Sequence, residues 1–154
     1  MKLPPPTGKI YWDEFVEWDI KVNKMKAYTD LEQSKKLAEI LPLESADMHY
    51  STWTIVSEDG DFIVSVSQQG ETIEELQKEY GNQIIPCWSL TALLNVLQKA
   101  AYFIDEDANV VLSSYKTVEW NLGINNSDVE LVTESNPVDA CYEIIIKLYE
   151  QKIL

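Results

Sequence analysis

The sequence contains no arginine; all 12 of its basic residues are lysine. Nucleic-acid readers lean on the arginine fork, which grips phosphate and guanine bidentately. Its absence argues against direct nucleic-acid binding. Histidine occurs once, at His49, and cysteine twice, at Cys87 and Cys141. A zinc centre of His and Cys type would have barely enough ligands here, so neither a metal nor a cofactor is expected. The 5 glycines stand singly at 8, 60, 70, 81 and 123, which excludes a glycine-rich phosphate cradle. No apolar run approaches the roughly 18 residues of a membrane-spanning helix, so no membrane partner is expected. Met1 to Gly8 carries one lysine and three prolines, and no apolar run follows them. A secretory leader is therefore not expected, and the chain is assigned to the cytoplasm. In that reducing setting Cys87 and Cys141 read as small apolar core residues, with a disulfide between them as the alternative.

What the chain does have is acid and apolar bulk. Its 154 residues hold 26 Asp and Glu, a formal net charge of −14 and 45% hydrophobic residues. The 5 Trp, 8 Tyr and 3 Phe are too many to leave in water, so the chain must fold. A length of roughly 150 residues fits one domain. The charge is not spread evenly. From Glu44 to Glu134 there are 16 acidic residues against Lys78, Lys99 and Lys116. That stretch would repel a phosphate backbone. It favours a basic protein surface as partner, with plain solubility as the competing explanation.

Local patterns place the elements. Val16, Trp18, Ile20 and Val22 alternate with polar residues as in a half-buried strand. Thr29 and Glu32 have capping-box spacing, and Leu31, Leu37, Ala38 and Leu41 form the apolar stripe of a helix that Pro42 stops. Leu43 to Tyr50 reads as a short helical turn or loop. Thr52–Ser57 and Phe62–Ser67 flank Asp59-Gly60, a hairpin signal. Thr72 and Glu75 open a second helix that ends at Gly81. Ser89 caps a third, with Trp88 and Leu93 spaced as a hydrophobic staple and Leu90, Leu93, Leu94 and Leu97 turned inward. Ala101–Ile104, Val110–Tyr115, Thr117–Leu122 and Val129–Val132 read as strands, with Gly123 to Asp128 a loop. The last helix is the plainest: Asn136 as cap, Pro137 at the first position, Asp139 at the third, and apolar residues over most of its circumference. Glu143 and Lys147 have the spacing of an ion pair on its polar stripe.

The search for chemistry leaves little. Asp105, Asp107 and Asn109 begin like a calcium loop, but the sixth position is Val110 and the twelfth Lys116. They read as a charged turn between strands. Ser45, Asp47 and His49 lie too close along the chain to be assembled as a catalytic triad, and no nucleophile elbow is present. No catalytic, cofactor-binding or metal-binding residue is assigned. The one candidate constellation for a ligand or interaction site is Asp47, His49 and Trp88. Trp is enriched at binding hot spots, although core packing is the plainer use of five of them.

Several stretches carry a resemblance: Glu32-Gln33-Ser34-Lys35-Lys36-Leu37, Ser45-Ala46-Asp47-Met48, Pro86-Cys87-Trp88-Ser89-Leu90 with Leu93-Leu94, and Asn136-Pro137-Val138-Asp139-Ala140-Cys141. Together they resemble an uncharacterised family of small bacterial proteins often encountered among prophage and mobile-element genes. The resemblance runs from about Met25 to Leu154. It implies a bacterial cytoplasmic setting and a phage- or element-borne accessory role, and no activity, ligand or catalytic residue. It also sets residues 1–24 apart as an N-terminal extension, with 25–154 as a single domain.

The expected fold is α+β: a mainly antiparallel sheet with helices packed on one face and the C-terminal helix central. The expected function is a non-enzymatic, acidic accessory or protein-interaction protein. The alternatives are a DNA-mimic inhibitor of a nucleic-acid-binding protein, and an enzyme or small-ligand binder with an unfamiliar site near Asp47, His49 and Trp88. The sequence does not fix the oligomeric state.

Overall fold

A computed structural model describes residues 26–51, 63–67, 71–116 and 118–154. In chain order the elements are α1 (Leu31–Ile40), β1 (Met48–Ser51), β2 (Ile63–Val66), α2 (Ile73–Tyr80), β3 (Ile84–Cys87), α3 (Leu90–Ile104), β4 (Val110–Tyr115), β5 (Glu119–Ile124), β6 (Val132–Glu134) and α4 (Pro137–Glu150). The fold is α+β. Among the described residues the strands form two antiparallel three-stranded sheets, in the orders β2-β1-β3 and β4-β5-β6, rather than the one sheet expected. The strand pattern at Val16–Val22, the Asp59-Gly60 turn and Thr52–Ser57 lie outside the described residues, as do Trp12, Trp18 and Trp53.

The C-terminal helix is central. Pro137, Val138, Ala140, Cys141, Ile144, Ile145 and Leu148 of α4 are buried, a repeat of three and four that lays one broad stripe inward. That stripe packs on α3 and on the inner face of β5 and β6. Leu93 and Leu97 from α3, Leu122 from β5 and Ile144, Ile145 and Leu148 from α4 are fully enclosed in one core. Truncating any of these to alanine would cost about 2–5 kcal/mol. Asn136 caps α4 by accepting the Asp139 N–H at 2.8 Å, with Pro137 in the first turn. The helix closes in a Schellman arrangement: Ile153 N–H donates to Leu148 O at 2.9 Å and Lys152 N–H to Tyr149 O at 3.0 Å, with Lys152 at φ +61°. Lys147 turns to Glu130 at 3.9 Å, not to Glu143 as the helical spacing suggested.

The first sheet is covered on both sides. β1 is its centre strand, with Met48 opposite Cys87, His49 opposite Pro86 and Tyr50 opposite Ile85. Opposed residues share a face. Tyr50 and Cys87 face α1, where the Tyr50 hydroxyl donates to Thr29 O at 2.7 Å. Ile84 faces the other way and joins Ile73 and Leu76 of α2 in a small second cluster. Pro86 is tolerated because β3 is an edge strand.

Four expectations about individual elements need correction. The capping box of α1 is Asp30 with Gln33, one residue beyond Thr29 and Glu32; Thr29 is instead fully buried and bonded elsewhere. Met48–Ser51 is a strand where a helical turn or loop was expected, and Ile84–Cys87, just before the α3 cap, is a further strand. Four residues give little periodicity to read. Ala101–Ile104 continues α3 rather than forming a strand. Ala100 and Ala101 favour helix and extend the buried stripe of Leu93 and Leu97. The Asp105 turn therefore joins a helix to a strand. Finally, β5 and β6 sit about two residues later than read, since the β4–β5 connection takes Lys116 in the left-handed region at φ +51° and the strand runs on through Gly123 and Ile124.

Candidate functional site

Asp47 and Trp88 do come together, but through hydrogen bonds that hold the first sheet to α3. Asp47 stands just before β1, and its carboxylate accepts the Ser89 N–H at 2.9 Å and the Ser89 hydroxyl. The same Ser89 oxygen accepts the Ala92 N–H at 3.1 Å, so it caps α3 while donating to Asp47. Trp88 is fully buried. Its indole N–H donates to Ser45 Oγ at 2.9 Å, and the Ser45 hydroxyl in turn donates to Pro42 O at 2.6 Å. The site residues thus close a loop from the end of α1 to the start of α3. His49 lies two residues on. It is 7% exposed on the centre strand, on the α2 side of the sheet opposite Pro86. Burial lowers its pKa, and the charge of Glu71 partly opposes that. A cleft of about 270 Å³ opens beside this junction, lined by Leu43, Glu44, Ala46, Ser67, Glu71, Thr72, Ile73 and Glu74. It is acidic at its rim and carries none of the three predicted residues in its wall.

Two polar clusters were not singled out in the sequence. The first is a buried hub at Thr29. Its Oγ1 accepts the Trp88 N–H at 3.2 Å and shares a hydrogen bond with Ser34 Oγ at 2.7 Å. Cys87 Sγ lies at 3.5 Å from that same oxygen. Burial pushes the Cys87 thiol up despite its hydroxyl neighbours. Cys141 is pushed up to about 12 by burial alone. Both cysteines are free and enclosed, hence inert at neutral pH.

The second cluster joins the N-termini of α1 and α4. Asp139 accepts from Lys26 Nζ at 2.9 Å, Gln33 Nε2 at 2.8 Å and Asn136 Nδ2 at 2.7 Å. Lys26 also reaches Asp30 at 3.0 Å. Burial pushes the Asp139 carboxyl up, but the bonds from Lys26, Gln33 and Asn136 outweigh it and hold the group below the usual carboxylate range. Nearby, a hydrogen bond with Glu143, followed by burial and the charges of Glu143 and Asp139, pushes Glu134 up to about 7. The only sequence signals for this cluster were Asp139 in a first helical turn and Gln33 at capping distance. Nothing along the chain said that the two helix starts would meet.

At the calcium-like turn, Asp105 accepts the Asp107 N–H at 2.8 Å, and Asn125, in the loop after β5, accepts the Asn109 N–H. These side chains fix the corner between α3 and β4. Among the described residues no three His, Cys, Asp or Glu converge on a common point that could hold a metal ion, and no helix is long and apolar enough to cross a membrane. Comparison with protein-family models, with curated proteins and with solved structures gave no match.

Proposed function

We propose that this chain is a non-enzymatic accessory protein that acts by binding a basic surface on another protein in the bacterial cytoplasm. The observation that carries the proposal is the fate of the acidic middle. Of its 13 described carboxylates between Glu44 and Glu134, 12 are exposed and Glu134 is half-buried. Folding therefore leaves most of this charge in water, where it can meet a partner. Asp47 and Trp88, by contrast, are spent on tying elements together. The resemblance to small bacterial proteins supports the setting.

The reading is tested by immobilising the full chain and passing bacterial lysate over it at about 0.05 M and 0.5 M salt, which changes the screening length from roughly 14 to 4 Å. Capture of a basic protein that is lost at high salt is the expected result. Capture that ignores salt, or no capture at either, would refute it.

A further inference from the structure

The second sheet turns an apolar face outward. In β4, Val110 and Leu112 pack on the core, while Val111, Ser113 and Tyr115 point away from it. Val111 is 49% exposed. Across the register Val111 faces Gly123, and Tyr115 faces Glu119. Leu131, 63% exposed, lies over Gly123: its Cδ1 is 3.0 Å from where a side chain there would begin. Val111 and Leu131 thus meet over Gly123, and Tyr115 stands farther along the same face of the hairpin, beyond Ser113 and Asn121.

Among the described residues no strand pairs with the outer edge of β4 in the same sheet. β4 carries no charge and no proline over its 6 residues, although charges, prolines and bulges are the usual devices that keep an edge from pairing. Asn125 N–H donates to Asn109 O at 3.0 Å, so the hydrogen-bonded pairs with β5 fall at 109, 111, 113 and 115. The main-chain groups of Leu112 and Ser114 are therefore directed away from β5. Gln98 takes the Val110 N–H at 3.2 Å and closes only the first position. The rim of this surface is acidic: Asp105, Glu106 and Asp107 precede β4, Glu119 sits on β5, and Asp128 and Glu130 precede Leu131, all exposed. Two lysines near this surface are committed, Lys116 of the hairpin over the Tyr115 ring at 5.4 Å and Lys147 of α4 beside Glu130.

We propose that β4 and this outer face dock an extended segment of a partner protein, one that alternates apolar residues with lysine or arginine and adds as a fourth strand. The proposal rests on the basic-partner reading above and names its surface. Main-chain bonds at Leu112 and Ser114 supply register, Val111 with Leu131 at one end and Tyr115 at the other receive one set of side chains, and the carboxylate rim receives the cations. Charge selects this occupant over a second copy. Antiparallel pairing of two β4 strands would bring Asp105, Glu106 and Asp107 of one chain to the Tyr115 end of the other, where Lys116 alone answers them and Glu119 adds a further carboxylate.

The test titrates the full chain with a synthetic peptide of about twelve residues, lysine alternating with valine and threonine. Amide NMR shifts locate the binding. Expected are shifts at Leu112 and Ser114, an affinity that falls at least about tenfold between 0.05 and 0.5 M salt, and a further loss of about tenfold in a V111K/L131K variant. Tyr115→Ser serves as a second, milder variant. A glutamate-for-lysine peptide should not bind. Shifts centred elsewhere, or affinity indifferent to V111K/L131K, would overturn this surface, while salt-labile capture from lysate would leave the basic-partner reading standing. A dimer of the full chain that V111K/L131K dissolves would also overturn it, by making a second copy the occupant.

Discussion

Asp139 holds the starts of α1 and α4 together, and Asp139→Asn should show how much that is worth. The carboxylate receives three donors, at 2.7, 2.8 and 2.9 Å. Hydrogen bonds to a charged group contribute about 1.5–3 kcal/mol each when taken singly, but three reductions apply. Asparagine keeps one acceptor oxygen. Lys26 retains Asp30 as a partner. The Asp139 and Lys26 side chains are 26% and 36% exposed, so water screens the pair. A net loss of about 1–2 kcal/mol at pH 7 follows, against about 0.5–1 kcal/mol for Lys26→Met. Urea unfolding of both variants and their double mutant would give a coupling of about 0.5–1 kcal/mol. The pH dependence separates this account from a generic packing defect. Because the folded Asp139 carboxyl titrates below its ordinary value of 3.8, its contribution is fully present above that value and fades as pH falls through it. Lys26 is the mirror case: burial pulls its pKa down, yet its bonds to Asp139 and Asp30 prevail and raise it, so its share is lost only above about pH 10.5. The deficit of Asp139→Asn should therefore be flat through neutral pH and shrink towards about pH 3. The series belongs in a Glu134→Gln background, since the Asp139 charge contributes to the raised Glu134 value. Equal stability at pH 7, or a deficit of unchanged size at low pH, would refute the reasoning.

Other expectations can be checked with the same equipment. Thr29→Val keeps the shape but leaves the Trp88 N–H and the Ser34 hydroxyl buried without their partner; it should cost about 2–4 kcal/mol, a fall of roughly 5–12 °C in Tm, with Thr29→Ser recovering most of it. A Tm within a degree or so of the parent would show that the hub is dispensable. Glu134→Gln should stabilise the chain at pH 8 and do nothing below about pH 4, because a carboxyl raised to about 7 favours the folded state only while protonated and loses that advantage as pH climbs from 4.5; no gain at pH 8 would refute the Glu134–Glu143 contact.

Several elements were legible because they are encoded within one or two turns of chain. The α2 capping box of Thr72 and Glu75, the Ser89 cap and the Asn136-Pro137-Val138-Asp139 helix start all formed where the spacing put them. So did β4, residue for residue, as a short run rich in β-branched, apolar and aromatic residues between a charged turn and a lysine. The acidic middle was legible too, and composition alone says it must be dissolved in water somewhere. The α1 cap slipped by one residue because Thr29 and Asp30 are both good caps, and the contest was decided by Trp88, 59 residues away, which claims the Thr29 hydroxyl.

Sequence by itself determined the secondary-structure class, the central place of α4 and the sign of the surface charge, because periodicity, caps and net charge are local or additive quantities. Only the tertiary structure decided that the described strands divide into two sheets, that Asp47 and Trp88 serve as fastenings, that Lys26 finds Asp139 across 113 positions, and that β4 borders the described sheet with an apolar face. These depend on which surfaces meet, and the free energy of meeting is shared among residues far apart in the chain, so no single stretch of sequence displays it.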